Sequence, residues 1–295
     1  MGRILKEFLN GCIDLHLHAG PSVAPREVDV AEMMDAALER GYRAYVVKDH
    51  MFQTVMSANL IERHMGKGRV KVFGGIVLNN SVGGFNLKAV DAACEMGAKF
   101  VCMPTVSSAA HMAYYTGQFP GGGRTEVAET PMRAIDADGE LLPEVAAIVE
   151  YVSRRPHVIL MTGHGSAAEV DAVVREAHRR GVPKIYVNHP YHIVGASVGQ
   201  MAEWAGLGAF VELNACLIVP ESKICSVGID LVRSILKSLP SERLVLCSDL
   251  GQKGNLHPAD GLAMLMEMLT RDAGVSEAQI SMMTRETPAK ILDLE

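Results

Sequence analysis

Short runs rich in β-branched and other apolar residues recur along the chain, at Ile13–His18, Ala44–His50, Val70–Leu78, Lys99–Thr105, Val158–His164, Lys184–His189, Ala209–Asn214 and Leu244–Asp249. Their apolar stretches are continuous rather than alternating, which predicts strands covered on both faces, as in a parallel sheet wrapped by helices. Between them, apolar residues fall at helical spacing over Asp29–Arg40, Thr54–Met65, Asn86–Met96, Pro143–Arg154, Ala167–Arg180, Val198–Ala205, Gly228–Lys237 and Ala259–Ala273. Gly41, Gly97 and Gly181 follow helical stretches directly, where a left-handed residue ends a helix. Eight strand-helix units predict an α/β fold, a closed (β/α)8 TIM barrel occupying residues 1–295 as a single domain. The glycine-rich dinucleotide fingerprint that an open doubly wound sheet often carries is absent after the first run.

One segment breaks the rhythm. Residues 106–142, after the fourth run, are too many for an ordinary βα loop and hold Tyr114, Tyr115, Phe119 and the Gly121–Gly123 triplet. Such a loop reads as a lid or pocket wall, with the glycines as its hinge, or as an oligomer contact. After the last predicted helix, residues 276–295 read as two short helices closing the domain.

Composition narrows the function. The 295 residues are 48% hydrophobic and 21% charged, with a net charge of −6, so nothing favours capture of a nucleic-acid backbone or an anionic membrane surface. No apolar run reaches the roughly 20 residues that cross a bilayer. Residues 1–10 carry Arg3, Lys6 and Glu7 and lack the apolar core of a signal peptide, which sets the expected compartment as the cytoplasm. The six cysteines are scattered without close pairs, arguing against a disulfide framework and a cysteine zinc site. A homo-oligomer is expected, with the apolar tract Ala263–Leu269 as an available surface that packing within the domain explains equally well.

The polar residues carry the chemistry. His16, His18, His50, His164 and His189 end predicted strands, and Asp249 ends the last. In a barrel those ends converge on one mouth, where this fold places its active sites. Imidazoles and a carboxylate brought together there predict a cation between them. His16 and His18 stand two apart on one strand and so share a face, with Leu15 and Leu17 toward the helices. His164 and His189 add imidazoles from two further strands, and Asp249 adds hard oxygen. Nitrogen and oxygen donors without thiolate suit a divalent metal, Zn first, with Mn, Fe or Co as alternatives, as one or two ions.

This set in this strand order resembles the amidohydrolase superfamily of metal-dependent (β/α)8-barrel hydrolases. The ending Glu286-Thr287-Pro288-Ala289-Lys290-Ile291-Leu292 is similar to the tail of those enzymes. The resemblance implies that His16 and His18 bind the more buried metal. It implies that His164 and His189 bind a second metal or orient substrate, and that Asp249 ligates metal and takes the proton of the attacking water. Binuclear members place a carboxylated Lys or a Glu at the end of the fourth strand, where this chain has Pro104-Thr105-Val106. Lys48, at the second strand, would bridge two metals if carboxylated; its more ordinary roles are a substrate-facing cation or a salt-bridged residue. Lys48-Asp49-His50 is also similar to the second-strand motif of the polymerase-and-histidinol-phosphatase barrels. Those barrels carry a third-strand Glu and a closing Asp-x-His, where this chain has Gly75–Asn80 and Asp249-Leu250-Gly251.

The expected function is hydrolysis of an amide, lactone or ester bond in a small anionic substrate, with Asp249 as proton shuttle. A metal-dependent decarboxylase on the same scaffold and a phosphoesterase are the alternatives. Glu212 is expected to contact substrate, to brace a histidine ligand or to form a buried salt bridge, and His257 to line the pocket or start a helix. Lys48, Arg124, Lys253 and His257 are the cations available for an anionic group, and Tyr114, Tyr115 and Phe119 the rings to cover a flat one.

Overall fold

The computed structural model describes residues 8–117, 119, 122–123 and 125–294. The strands are β1 (Ile13–Leu17), β2 (Ala44–Val47), β3 (Lys71–Phe73), β4 (Gly75–Val77), β5 (Phe100–Cys102), β6 (Ile159–Met161), β7 (Ile185–Val187), β8 (Phe210–Asn214) and β9 (Leu244–Cys247). All pair in parallel, in the orders β1-β2-β3 and β4-β5-β6-β7-β8-β9. β3 and β4 are two halves of one stave interrupted at Gly74, the first paired to β2 and the second to β5. The ring closes where the chain leaving β9 returns to β1: Asp249 N–H donates to His16 O at 2.7 Å and His18 N–H to Leu250 O at 2.8 Å. The result is the eight-stave barrel.

Interior and exterior follow the strand period of two. Val46, Phe100, Cys102, Ile159, Met161, Tyr186, Phe210 and Val245 fill the barrel, while their neighbours in sequence pack against the helices outside. Ala289, Ile291 and Leu292, from the helix Thr287–Leu292, join the interior cluster and plug one end. This leaves the opposite end, the C-terminal ends of the strands, as the polar mouth.

The outer helices start on side-chain caps. Asp29, Ser166 and Ser197 each form a reciprocal capping box, and the helix from Val30 ends at Gly41 in the left-handed conformation. The tract Ala263–Leu269 lies in the helix Pro258–Ala273, and Ala263, Leu265, Met266 and Leu269 are wholly buried in the chain's own core. The surface expected there for an oligomer contact is therefore taken up by the barrel itself. Among the described residues, no helix is long and apolar enough to cross a membrane.

Candidate metal centre

β1 delivers the first two imidazoles. Its register shifts between Asp14 and Leu17, so the strand's alternation is broken there. Ile13 and Leu15 both pack inside the barrel while Leu17 packs outside, which corrects the expectation that Leu15 faces the helices. Beyond the shift, His16 and His18 both reach the mouth, 1% and 2% exposed. Their rings stand 5.2 Å apart.

Both imidazoles meet Asp249. His16 Nε2 and His18 Nε2 each lie 3.1 Å from Asp249 Oδ1, and His189 Nε2 lies 3.7 Å from Oδ2. Asn214 Nδ2 donates to Oδ2 at 2.9 Å and holds the carboxylate in place. Asp249 has φ +51° and His189 φ +22°, conformations sparsely populated by residues with a side chain and sustained by the surrounding structure. For Asp249 the support is visible in its backbone bond to His16 O and in Gly251, whose φ of +124° lets the chain pass against the His18 carbonyl.

The far side of His16 is equally defined. Nδ1 bonds Glu212 Oε2 at 2.9 Å, and Asn188 Nδ2 and Asn214 Nδ2 donate to the same carboxylate, each at 3.1 Å. With Nδ1–H committed to Glu212, the lone pair of His16 is on Nε2, facing Asp249. His18 is fixed the same way, its Nδ1 bonding the Lys48 carbonyl at 2.8 Å.

The buried rings and the carboxylates shift one another. Burial lowers the pKa of His18 to about 4 and also lowers that of His189. Burial alone would raise Glu212, but His16 and His189 outweigh it and leave the carboxyl at about 2; Asp249 is held low in the same way by His16, His18 and His189.

The donor set fits a divalent ion. One ligand atom each from His16, His189, Glu212 and Asp249 lie within 4.8 Å of one another, all buried. His16 Nε2 and His189 Nδ1 are buried without a hydrogen-bond partner. Donors about 2.1 Å from a common ion stand roughly 3 to 3.5 Å apart, the separation of the two Nε2 atoms from Asp249 Oδ1.

Residues 11–212 match a family of unknown function, DUF6282. The chain belongs to that family. The DUF6282 match takes in His16, His18, Lys48, His50, His164, His189 and Glu212, and Asp249 lies beyond it. No curated protein matches the chain in sequence. Among solved structures, the chain is similar to 2,6-dihydroxybenzoate decarboxylase from Rhizobium, with a TM-score of 0.58, 10% identity and coverage of 97% of this chain and 99% of that one. It is similar to the organophosphorus hydrolase of Deinococcus radiodurans, with a TM-score of 0.60, 15% identity and coverage of 96% and 92%. A third likeness is to the phosphotriesterase homology protein of Escherichia coli, with a TM-score of 0.56, 13% identity and coverage of 96% and 98%. These are amidohydrolase-superfamily barrels, and at such identity the likeness concerns the fold.

Around the four-residue cluster of this DUF6282 barrel lies a shell that the sequence only partly announced. His50 Nδ1 bonds Thr105 Oγ1 at 2.9 Å, and Asn79 Nδ2 donates to the same hydroxyl at 2.7 Å, so the fourth stave ends in a hydroxyl that is already engaged. His164 stands outside the cluster and pairs instead with His111, a residue of the insertion. His18, His50, His164, His189 and Asp249 line a narrow cavity with about 30 Å³ of accessible room, whose other walls include Tyr115, Phe119, His192 and Leu217. Tyr115 OH bonds His192 Nε2 at 3.0 Å across the mouth, whereas Tyr114 is 53% exposed.

The expected cations separate. Lys48 is 1% exposed, on the interior face of β2, and its Nζ has no hydrogen-bond partner. The salt-bridged role is therefore not the one it takes. Lys253 pairs with Glu27 at 3.5 Å, and His257 starts the helix Pro258–Ala273, its Nδ1 accepting from Ala259 N–H. Arg124 and Gly121 lie outside the described residues. Sequence reading missed Arg26, whose nearly buried guanidinium pairs with Asp49 at 3.4 Å, and it missed His111, Asn188 and Asn214.

Proposed function

We propose that this chain is a metal-dependent hydrolase acting on a small, flat substrate with an anionic group. The observation that carries the reading is the convergence of His16 Nε2 and His18 Nε2 on one oxygen of Asp249, at the floor of a histidine-lined cavity in the barrel mouth. His16, His189 and Asp249 would hold the ion, with His18 beside them and Glu212 bracing His16 or joining as a ligand. When bound, a divalent ion supplies Lewis acidity and lowers the pKa of a water molecule toward neutrality.

The chain's own residues supply the remainder. Asp249 is the proton acceptor, oriented by the bond from Asn214 to its Oδ2 and lining the cavity beside His189. It returns that proton to the leaving nitrogen or oxygen. Tyr115 and Phe119 cover the cavity and exclude water. Arg26, paired with Asp49 and felt by His18 and His50, and the unpartnered Lys48 are the cations for an anionic substituent.

A decarboxylase is the second reading, favoured by the fourth stave: Thr105 is engaged with His50 and Asn79, and no carboxylate or lysine stands there to bridge two ions. Elemental analysis of the purified protein beside His16→Ala/His18→Ala comes first. About one equivalent or more of Zn, Mn, Fe or Co, lost in the variant, supports the reading; none in either, after reconstitution with each ion, overturns it. Turnover of an amide, lactone and aromatic-acid panel in ¹⁸O water then separates the reactions. Label in the product signals hydrolysis, and release of carbon dioxide signals decarboxylation.

A further inference from the structure

The insertion between β5 and β6 does more than cover the mouth. Its helix Ala109–Tyr114 is tied down where Ala109 N–H donates to Met132 O at 2.8 Å and Met132 N–H to Ser107 O at 2.7 Å. This places His111, 3% exposed, with Nδ1 at 2.9 Å from His164 Nδ1 and the two rings within 15° of parallel. The same part of the chain holds the backbone of His164: its N–H donates to Pro104 O at 2.9 Å, and its carbonyl accepts from Ser108 Oγ at 2.8 Å. Phe119 packs edge-on against His111 at 4.8 Å and closes the pair from outside.

We infer that His111 is a positioning residue, which fixes the ring orientation and the tautomer of His164 so that a defined Nε2 faces the cavity. The inference rests on reading the mouth as the active site. A contact between two Nδ1 atoms needs one donor and one acceptor, so the pair shares a single proton there. Both rings are buried, 3% and 4% exposed, a setting that disfavours a charged imidazolium. Each ring then carries its second proton state on Nε2, and the two are complementary: one Nε2 bears a lone pair, the other a hydrogen. What His164 offers a substrate at Nε2 is therefore tied to the proton position on His111, a residue of the insertion 53 positions away in sequence.

The test is ¹⁵N NMR of histidine-labelled protein, metal-free, with the His164 signals assigned by their loss in His164→Gln. The parent is expected to show His164 as one tautomer with a hydrogen-bonded Nδ1. In His111→Phe, which keeps a ring but no nitrogen, the two His164 nitrogens should move toward each other as the tautomers mix. His111→Asn, which restores a hydrogen-bonding group, should recover much of the separation. An unchanged His164 pattern in His111→Phe overturns the inference, and if that variant does not fold, a pattern in His111→Ala identical to the parent's does the same. Elemental analysis of the same preparations reports on the metal reading separately: altered tautomers with no metal in any sample would leave the coupling standing and remove the metal.

Discussion

His16 Nδ1 and Glu212 Oε2 lie 2.9 Å apart, from staves that are not neighbours in the ring, and this bond turns the opposite nitrogen of His16 onto Asp249. Glu212 accepts from Asn188 and Asn214 as well, so three donors converge on one buried carboxylate. Glu212→Gln keeps the volume but leaves one acceptor oxygen and adds a donor. The unmade bonds should cost about 1–3 kcal/mol of stability, and the loosened imidazole should weaken metal binding roughly 10- to 100-fold. Competition against a chromophoric chelator measures the second quantity. Unaltered affinity would mean that Glu212 neither braces nor ligates.

Asp249→Asn separates the proton-transfer role from the architecture. The substitution is nearly isosteric, and His16, His189 and Glu212 remain to hold an ion. The variant should fold and retain much of its metal, while turnover of any substrate found falls by about 10²- to 10⁴-fold, the usual contribution of a positioned acid-base group. Steady-state rates beside metal content on one preparation decide the matter, and unchanged turnover removes Asp249 from the chemistry.

Gly251 tests how the mouth is held closed. A Cβ on it would stand 1.7 Å from the His18 carbonyl oxygen, and its φ of +124° is strained for any residue with a side chain. Gly251→Ala must displace either His18 or the segment carrying Asp249, at an expected cost of about 1–3 kcal/mol or more. Gly206→Ala is the control: it ends the helix Val198–Gly206, and a Cβ there meets nothing within 4 Å. That variant should match or exceed the parent by up to about 1 kcal/mol. Urea unfolding of the two variants gives the comparison, and equal midpoints would show that the approach at Gly251 is relieved without penalty.

The barrel was legible because its strands are buried on both faces, so that runs such as Val101–Met103 or Leu244–Cys247 stay apolar without alternation. The histidines at strand ends were legible for the related reason that a polar residue closing such a run has only the mouth to enter. Two kinds of information were hidden. Leu15 was placed on the wrong face because alternation assumes an unbroken strand, and the register shift in β1 is a property of its neighbours. His111 lies in a segment without periodicity, and its meeting with His164 depends on how the whole insertion folds back. Asn188 and Asn214 did carry a signal: they share strand parity with the interior residues Tyr186 and Phe210, so they had to point inward.

Acid should destabilise the metal-free protein. The pKa values of His18, His111 and His192 are lowered to about 4 from an ordinary 6.5, chiefly by burial. Between those values the unfolded chain binds protons that the folded chain does not, so stability falls as pH drops from about 6.5 toward 4. Asp14 works in the opposite sense: burial raises its carboxyl to about 6 from 3.8, so below 6 the folded state binds its proton more readily. Burial lowers His50, His164, His189 and His257 as well, so the histidines outnumber Asp14 and the net slope retains their sign. Melting temperature in EDTA should therefore fall between pH 7 and 4.5, and His192→Gln should flatten the curve by removing one titrating ring. Added Zn²⁺ at 100 times its Kd should contribute about 2.7 kcal/mol at neutral pH, and because the ligands must be deprotonated to bind, the increment should persist on acidification until the pH approaches the lowered values of the buried rings, about 4 at His18. A metal increment already lost between pH 7 and 6, where ordinary exposed imidazoles take up protons, would place the ion on groups other than these buried imidazoles.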